Sequence, residues 1–419
     1  MRVLLVGGGG REHALGWALA RSPACDELVS LPGNPGLARL GAVVEGIEPT
    51  DVGAVAAFAA HQRIDLVVVG PEAPLAAGLV DALDAAGVAA FGPRRAAARL
   101  EASKSFAKDV MARAGVPTGS HSSFSKAAAA KDHLRSAAGP YVVKADGLAA
   151  GKGVLVTDDL GEAEAWVDRC LTGSFGGDHA SVVVEEYLDG PEVSVFAICD
   201  GTSALSLQPA RDYKRLSDGD LGPNTGGMGS FSPIPDLPGG LIEEVMGSMV
   251  EPTLRQMAAE GTPYTGFLYV GLALTPTGPK VIEFNCRLGD PETQAVLPLL
   301  ESDLLDALST AATGQLDATP LRFSERAAVN VVLASAGYPE APRTGDAISG
   351  LDDIDDPDVL VFHAATTVDD RRVLRTAGGR VLSVVGLGDT VVEARGRAYA
   401  AADRIRWKGQ VRRGDIGLR

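Results

Sequence analysis

The chemistry this sequence can do is concentrated in two lysines, a glycine loop and a short acidic strand. Residues 142–156 read VVKADGLAAGKGVLV, with Lys144 closing a β-branched run and Lys152 set between Gly151 and Gly153. A Walker loop places four residues between its glycine and Gly-Lys and follows them with Ser or Thr. Here only three residues separate Gly147 from Gly151, and a glycine follows Lys152, so this is not a P-loop. What remains is a glycine turn between two β-runs. Its amides and Lys152 can lie over a polyphosphate, with Lys144 entering from the adjoining strand. A chain with 38 Lys and Arg against 54 Asp and Glu, net −16, must place cations locally to hold a nucleotide.

Further on, Glu185-Glu186 end the apolar run 182–184, and Glu192 follows Asp189-Gly190-Pro191. Such acids form either a solvated strand edge or a nucleoside clamp, one accepting the adenine amino group and Glu192 the ribose hydroxyls. In 280–287, KVIEFNCR, strand alternation puts Val281, Glu283, Asn285 and Arg287 on one face. Ile282, Phe284 and Cys286 then point into a core. Oxygen donors two residues apart suit magnesium, which takes few protein ligands and keeps water and phosphate oxygens; alone, the pair also reads as a solvated face. Beside a metal, Arg287 and Asp290 could hold an amino acid by its two ends, although Asp290 or Thr293 also reads as a helix cap.

The N-terminus runs from an apolar strand, Val3 to Val6, through Gly7-Gly8-Gly9-Gly10 into a helix from about Glu12. Its dinucleotide fingerprint fails in both registers, because the third glycine position falls on Glu12 or His13. The second strand also ends in Leu31-Pro32-Gly33-Asn34, with no acid for a ribose. A nicotinamide dehydrogenase is therefore the weakest reading. Helix-start amides could still hold the phosphate of another ligand. The loops carrying Asn34 and Glu72 lie at the carboxyl ends of the same predicted sheet, where open α/β sheets bind ligands; taken singly, each is also an ordinary turn.

The elements that must position these residues fall into three blocks, in line with roughly 150 residues per domain for a chain of 419. Strands alternate with alanine-rich helices up to about residue 103. Antiparallel-looking strands joined by glycine turns follow, then an aperiodic stretch at 211–233, a hairpin at 266–285 and a helix over about 291–313. From about 326, strands and a helix at about 390–405 suggest a third α/β unit. Hydrophobic residues at 46% and charged residues at 22% describe a globular protein with several cores. The acidic balance excludes a general nucleic-acid binder. Apolar runs are too short for a spanning helix or a secretory segment, and four cysteines without a CxxC pair fit reduced thiols in a cytoplasm.

The order Lys144, glycine loop with Lys152, Glu185-Glu186-x-Leu188, Glu192 and Glu283-x-Asn285 resembles the ATP-grasp ligases. Other segments resemble, within that superfamily, the ligases that join glycine to 5-phosphoribosylamine: GGREHAL at 9–15, PGN at 32–34, VGPEAPL at 69–75, GPNTGGMG at 222–229, FNCRLGDPETQ at 284–294 and the RGDIG ending at 413–417. The resemblance spans the chain. It implies an α/β and α+β multidomain protein: an N-terminal parallel α/β substrate-binding domain at 1–103, an ATP-grasp domain at 104–320 with a small lid at about 120–188, and a C-terminal α/β domain at 321–419.

It also implies ligation in purine biosynthesis through glycyl phosphate, with ATP and Mg2+ or Mn2+ as cofactors, small-molecule substrates, and neither a nucleic acid nor a membrane as partner. A transient contact with the upstream amidophosphoribosyltransferase is compatible with it. By resemblance, Lys104, Lys144, Gly147, Gly151, Lys152, Gly153, Glu185, the Leu188 backbone and Glu192 hold ATP, and Glu283 and Asn285 hold the metal. Gly9, Gly10, Arg11, Asn34 and Glu72 receive the phosphoribosyl part, while Asn224, Gly226, Met228, Arg287 and Asp290 form the glycine and acyl-phosphate region. Lys152, Arg287 and Asp290 are the implied catalytic residues. The strand before Glu283 lacks the further acidic metal ligand that many ATP-grasp enzymes carry. The alternatives are another ATP-grasp carboxylate-amine ligase and an ATP-binding regulatory protein.

Overall fold

The computed structural model describes residues 1–149, 153–173 and 181–418. The β-branched runs near the N-terminus pair as parallel strands, in the order Ala42–Val43, Glu27–Pro32, Arg2–Gly7, Leu66–Val69, Ala90–Phe91. Both faces are covered by helices, which is why these strands read as continuous apolar runs. The sheet's carboxyl edge carries the loops with Gly9, Asn34 and Glu72. The helix after the glycines begins at Gly10, two residues earlier than its hydrophobic pattern indicates, because the Glu12 carboxylate reaches back to accept from the Gly9 amide at 2.7 Å, as the N3 acid of a capping box does, although Gly9 has no side chain to return the bond.

The middle of the chain builds two antiparallel sheets. The small one has the strand order His121–Phe124, Val182–Glu185, Tyr141–Ala145, Val154–Thr157. It buries its own cluster, including Ala130, Leu134, Val143 and Val167, against the helices Ala127–Ser136 and Leu160–Leu171. The large sheet has the order Ala204–Ser206, Glu192–Asp200, Thr265–Thr275, Gly278–Asn285. A register shift opposite Gly271/Leu272 corrects the strict alternation expected for the last strand. This bulge sends Val281 into the core with Phe284 and Cys286, while Ile282 stays half-exposed. The polar face of Glu283 and Asn285 is kept.

Two further expectations change. The stretch 211–233 is not structureless: it contains Arg211–Asp212, the hairpin Arg215–Ser217/Leu221–Asn224, and the buried strand Gly229–Ser232. Runs this short carry no period, and their partners are distant in sequence. Gly229–Ser232 pairs with Ala327–Ala334 in a C-terminal sheet completed by Arg380–Gly388 and Val359–His363, with the helix Val391–Ala402 packed on it. The expected helix at 291–313 is broken at Pro298 into Thr293–Val296, a short 3-10 turn, and Leu304–Ala312 capped by Asp303. Neither Asp290 nor Thr293 acts as a cap; Thr293 Oγ1 donates back to the Gly289 carbonyl.

Candidate active site

The small sheet brings Lys144 onto the end of the neighbouring strand at Glu185. Lys144 Nζ lies 2.9 Å from Glu185 Oε2 and also donates to the Ile282 carbonyl at 3.3 Å, tying the small sheet to the large one. Lys108 meets the same carboxylate oxygen at 2.9 Å. Burial alone would raise the Glu185 carboxyl, but the two lysines outweigh it and hold the group below the ordinary carboxylate range. Its other oxygen, Oε1, is buried and has no hydrogen-bond partner among the described residues. An orphaned acceptor of this kind calls for a donor such as the exocyclic amine of adenine. Lys104 donates to the Gly147 carbonyl at 3.0 Å, and the loop is anchored by Asp146, which accepts from Ser105 Oγ at 2.5 Å and Ser181 Oγ at 2.7 Å. Gly153 O accepts from Ala145 N at 2.8 Å. Gly151 and Lys152 lie outside the described residues.

Leu188 follows the Glu185 strand as half-exposed chain, and Glu192 begins the next strand in an ion pair with Lys214. Lys214 rises from the 211–233 stretch toward Glu283, which is also faced by Lys144 and Lys104. Burial would raise the Glu283 carboxyl; these cations bring it below its ordinary range. Asn285 donates weakly to Glu283 Oε1 at 3.4 Å, and Arg287 Nη2 lies 3.5 Å from Asn285 Oδ1. The donor set fits a divalent cation that takes a carboxylate and an amide oxygen from protein and fills its shell with phosphate and water oxygens. Among the described residues, no group of three or more His, Cys, Asp or Glu could hold a metal unaided.

At the N-terminal sheet edge, the Glu12 side chain fills the space beside Gly9 and Gly70. A Cβ on Gly9 would fall 2.7 Å from its carboxylate, and one on Gly70 2.5 Å. The Gly9 amide is therefore already spent on Glu12, which corrects the expectation that it is free for an anion. Asn34 is likewise committed: its amide nitrogen donates to Gly8 O and His363 O, both at 2.9 Å, and its oxygen accepts from Gly36 and Leu37. Gly10 abuts Gln294, whose Oε1 is buried and has no hydrogen-bond partner among the described residues.

Arg11 joins the N-terminal edge to the large sheet. Its Nε pairs with Glu12 at 2.6 Å and its Nη1 donates to Leu288 O at 3.2 Å. Glu72 lies between Arg11, at 3.8 Å, and Arg287, at 3.4 Å, and Arg287 also pairs with Glu101 at 3.1 Å. Asp290 pairs with Arg380 at 3.2 Å and accepts from Gln294 at 2.9 Å, and Arg380 also donates to Gly226 O. Burial would raise Asp290, yet Arg380 and Arg11 leave it ionised below its ordinary range. Asn224 is exposed, whereas Met228 is wholly buried, with its amide donating to Tyr213 O at 2.8 Å and its carbonyl accepting from Val332 N at 3.1 Å.

Several members of this site escape sequence reasoning. Lys108 stands one helical turn after Lys104, a spacing that could have exposed it. Glu101, Arg380 and Asp212 carry no local signal, and Glu292 lies in the 284–294 segment of the resemblance, which assigns it no role. Glu292 is buried, accepts from Ser194 Oγ at 3.1 Å, and is pushed up to about 7 by burial and by Asp212.

The fold and this arrangement define an ATP-grasp enzyme. The biotin carboxylase domain of Hydrogenobacter thermophilus 2-oxoglutarate carboxylase, solved with MgADP, shares the fold at a TM-score of 0.72 and 16% identity, over 98% of this chain and 91% of that one. Profiles of the phosphoribosylglycinamide synthetase N, ATP-grasp (A) and C domains match residues 1–101, 102–293 and 328–419. The chain belongs to the phosphoribosylglycinamide synthetase family. It is 49% identical to a phosphoribosylamine-glycine ligase of Agrobacterium fabrum, over 100% of this chain and 98% of the relative, and 51% identical to that of Leifsonia xyli, over 100% of both. The crystal structure of the Thermotoga maritima phosphoribosylamine-glycine ligase matches at a TM-score of 0.86 and 35% identity, over 99% of this chain and 100% of that one. No helix among the described residues is long and apolar enough to cross a membrane.

Proposed function

We infer that the protein joins glycine to 5-phosphoribosylamine at the expense of ATP, giving glycinamide ribonucleotide, ADP and phosphate in purine biosynthesis. The observation that carries this reading is the meeting at Arg287 of the Glu283/Asn285 strand with Arg11 and Glu72 of the N-terminal sheet, in a chain whose family membership spans its length. A nucleotide-and-metal face and a second substrate edge thus share one guanidinium.

Carboxylate is a poor electrophile, so a glycine carboxylate oxygen first attacks the γ-phosphorus, the bond to the β-phosphate oxygen breaks, and ADP leaves. The amine nitrogen of phosphoribosylamine then attacks the acyl carbon; the carbon–oxygen bond to phosphate breaks and the amine loses a proton. The protein's task is positioning and charge neutralisation. Glu185 Oε1 takes the adenine amino group, Glu192 the ribose, and Lys144 and Lys104 the phosphates, with the amides of Gly147 and Gly153 beside them; Gly151 and Lys152 are assigned to the phosphates by the family resemblance alone. The ion held by Glu283 and Asn285, magnesium or manganese, neutralises phosphate charge when bound. Arg287 orients the glycine carboxylate, with Asp290 and the 224–228 backbone beside it, while Gly10, Arg11 and Glu72 face the phosphoribosyl part. The small domain at about 120–188 closes over ATP and keeps water from the acyl phosphate. The boundaries at about 103 and 320, a cytoplasmic setting, and handover of the labile amine by the enzyme that makes it belong to the same reading.

A panel of amino and other carboxylic acids, assayed for ADP release with phosphoribosylamine present, tests it. Glycine alone should support turnover; a different preferred acid would move the chain to another carboxylate-amine ligase of the same superfamily.

A further inference from the structure

The C-terminal sequence Arg413-Gly414-Asp415-Ile416-Gly417 takes no part in the chemistry above, yet Arg413 is among the most deeply buried side chains of the molecule. Its guanidinium grips Asp415 with two nitrogens, at 2.7 and 2.6 Å. The remaining nitrogen reaches across to the hairpin Arg215–Ser217/Leu221–Asn224, donating to Asp220 Oδ1 at 2.8 Å and to the Arg215 carbonyl at 3.1 Å. The guanidinium carbon also lies 4.8 Å from the centre of the Tyr213 ring. The tail's backbone completes the grip: Gly414 N donates to Asp218 at 2.7 Å, Gly219 N donates to Asp415 at 2.9 Å, and Gly417 N donates to Tyr213 OH at 3.0 Å. The tail is itself fixed to the helix Val391–Ala402, where Tyr399 OH donates to Arg413 O at 2.9 Å and Arg395 holds Ile416 O at 3.0 Å.

The hairpin needs such support. Two-stranded hairpins are marginal in water, the strand Leu221–Asn224 is exposed throughout, and Asp220 at the turn holds a left-handed φ of 57°. The base of this hairpin is the active site. Asp212 and Lys214 precede its first strand, and Thr225 N, just past its second, donates to Lys214 O at 2.7 Å. Lys214 carries the ion pair with Glu192, and Asn224 to Met228 run on toward Asp290 and Arg380.

We propose that the Arg413–Asp415 tail is a strut that positions the 212–228 arm for the acid substrate, making Arg413, Asp415 and the arm's Asp218 and Asp220 positioning residues. The assignment of that substrate as glycine rests on the function proposed above.

The test uses the full chain with an Asp218→Asn/Asp220→Asn pair and, separately, Arg413→Lys. Asn tolerates the left-handed turn and leaves Asp415 to hold the arginine, so the pair should fold even where Arg413→Lys does not. The strut predicts that the Asn pair raises the KM for glycine about tenfold while kcat and the KM for phosphoribosylamine move less than about twofold, a split that lost folded fraction would not produce. Trypsin cleavage after Lys214 or Arg215, which needs no substrate, should speed up about fivefold or more. Lys408→Ala, an exposed side chain just before the tail, should change neither readout. Unchanged glycine KM together with unchanged cleavage in the Asn pair would overturn the strut. If the wild-type protein releases no ADP with glycine, the ligase reading fails, and the cleavage rates still decide whether the tail holds the arm.

Discussion

Glu185 shows how the site stores its selectivity in single atoms. Two lysines share one carboxylate oxygen and the other is buried without a donor among the described residues, so neutralising Glu185 should weaken nucleotide binding and also cost stability by leaving Lys108 and Lys144 buried without their counter-charge. Lys108 is different, because it is 2% exposed and its charge is compensated only locally. Lys108→Met should cost about 3 kcal/mol in urea unfolding, the low end for breaking a buried pair because Lys144 remains; a loss below about 1 kcal/mol would show that the pair matters little. Glu283→Gln should leave Tm within a few degrees yet lower kcat at least about a hundredfold, since an amide holds a divalent ion far less well than a carboxylate. Turnover near that of the wild type would remove Glu283 from the site. Glu283, Asn285, Lys144 and Glu185 are legible in the sequence as candidates because each sits in a local pattern. The sequence did not reveal Glu101 or Arg380, whose partners Arg287 and Asp290 are far away along the chain and whose neighbours carry no motif.

Elements behave likewise. The parallel strands and the Leu160–Leu171 helix are legible from apolar runs and period, and the helix bounds agree with the pattern. The hairpin strand was legible except at its bulge, where the backbone, not alternation, decides the face of Val281. The Gly229–Ser232 strand was not legible, since only its pairing with Ala327–Ala334 makes it a strand. One contact between elements makes a pH prediction. His13, on the first helix, accepts at Nδ1 from the backbone N–H of His363 at 2.7 Å, which joins the N-terminal helix to the C-terminal sheet. Burial holds His13 down to about 3 and His363 to about 4, from an ordinary 6.5, and the nearby Arg39 adds to both. The unfolded chain therefore takes up protons first as pH falls. Stability is whole above about pH 6.5 and declines toward pH 4, by up to about 1.4 kcal/mol per pH unit for each ring. Replacing His13 with Gln, which keeps an acceptor but cannot titrate, should roughly halve that slope in thermal melts at pH 4.5 to 6.5; an unchanged slope would exclude the His13 ring as its source.

For the whole molecule, the arrangement separates two tasks. The small sheet has its own core, with Lys144 donating to the Ile282 carbonyl of the large sheet and Thr118, just before the small sheet's first strand, donating to the Val281 carbonyl at 2.6 Å. The N-terminal and C-terminal sheets are instead locked together through His13 and Asn34, both bonded to His363. Closure that waits for all three substrates predicts that ATP and glycine alone release ADP at least about tenfold more slowly than the complete mixture; equal rates would mean that the acyl phosphate is not shielded. The most direct measurement is mass spectrometry of the purified protein with ATP, magnesium and glycine, with phosphoribosylamine generated in place from ribose 5-phosphate and ammonia. Glycinamide ribonucleotide should form only when all three substrates are present, and ADP should reach its full rate only then. ADP without that product, or no ADP with any acid, would contradict the ligase reading of this site.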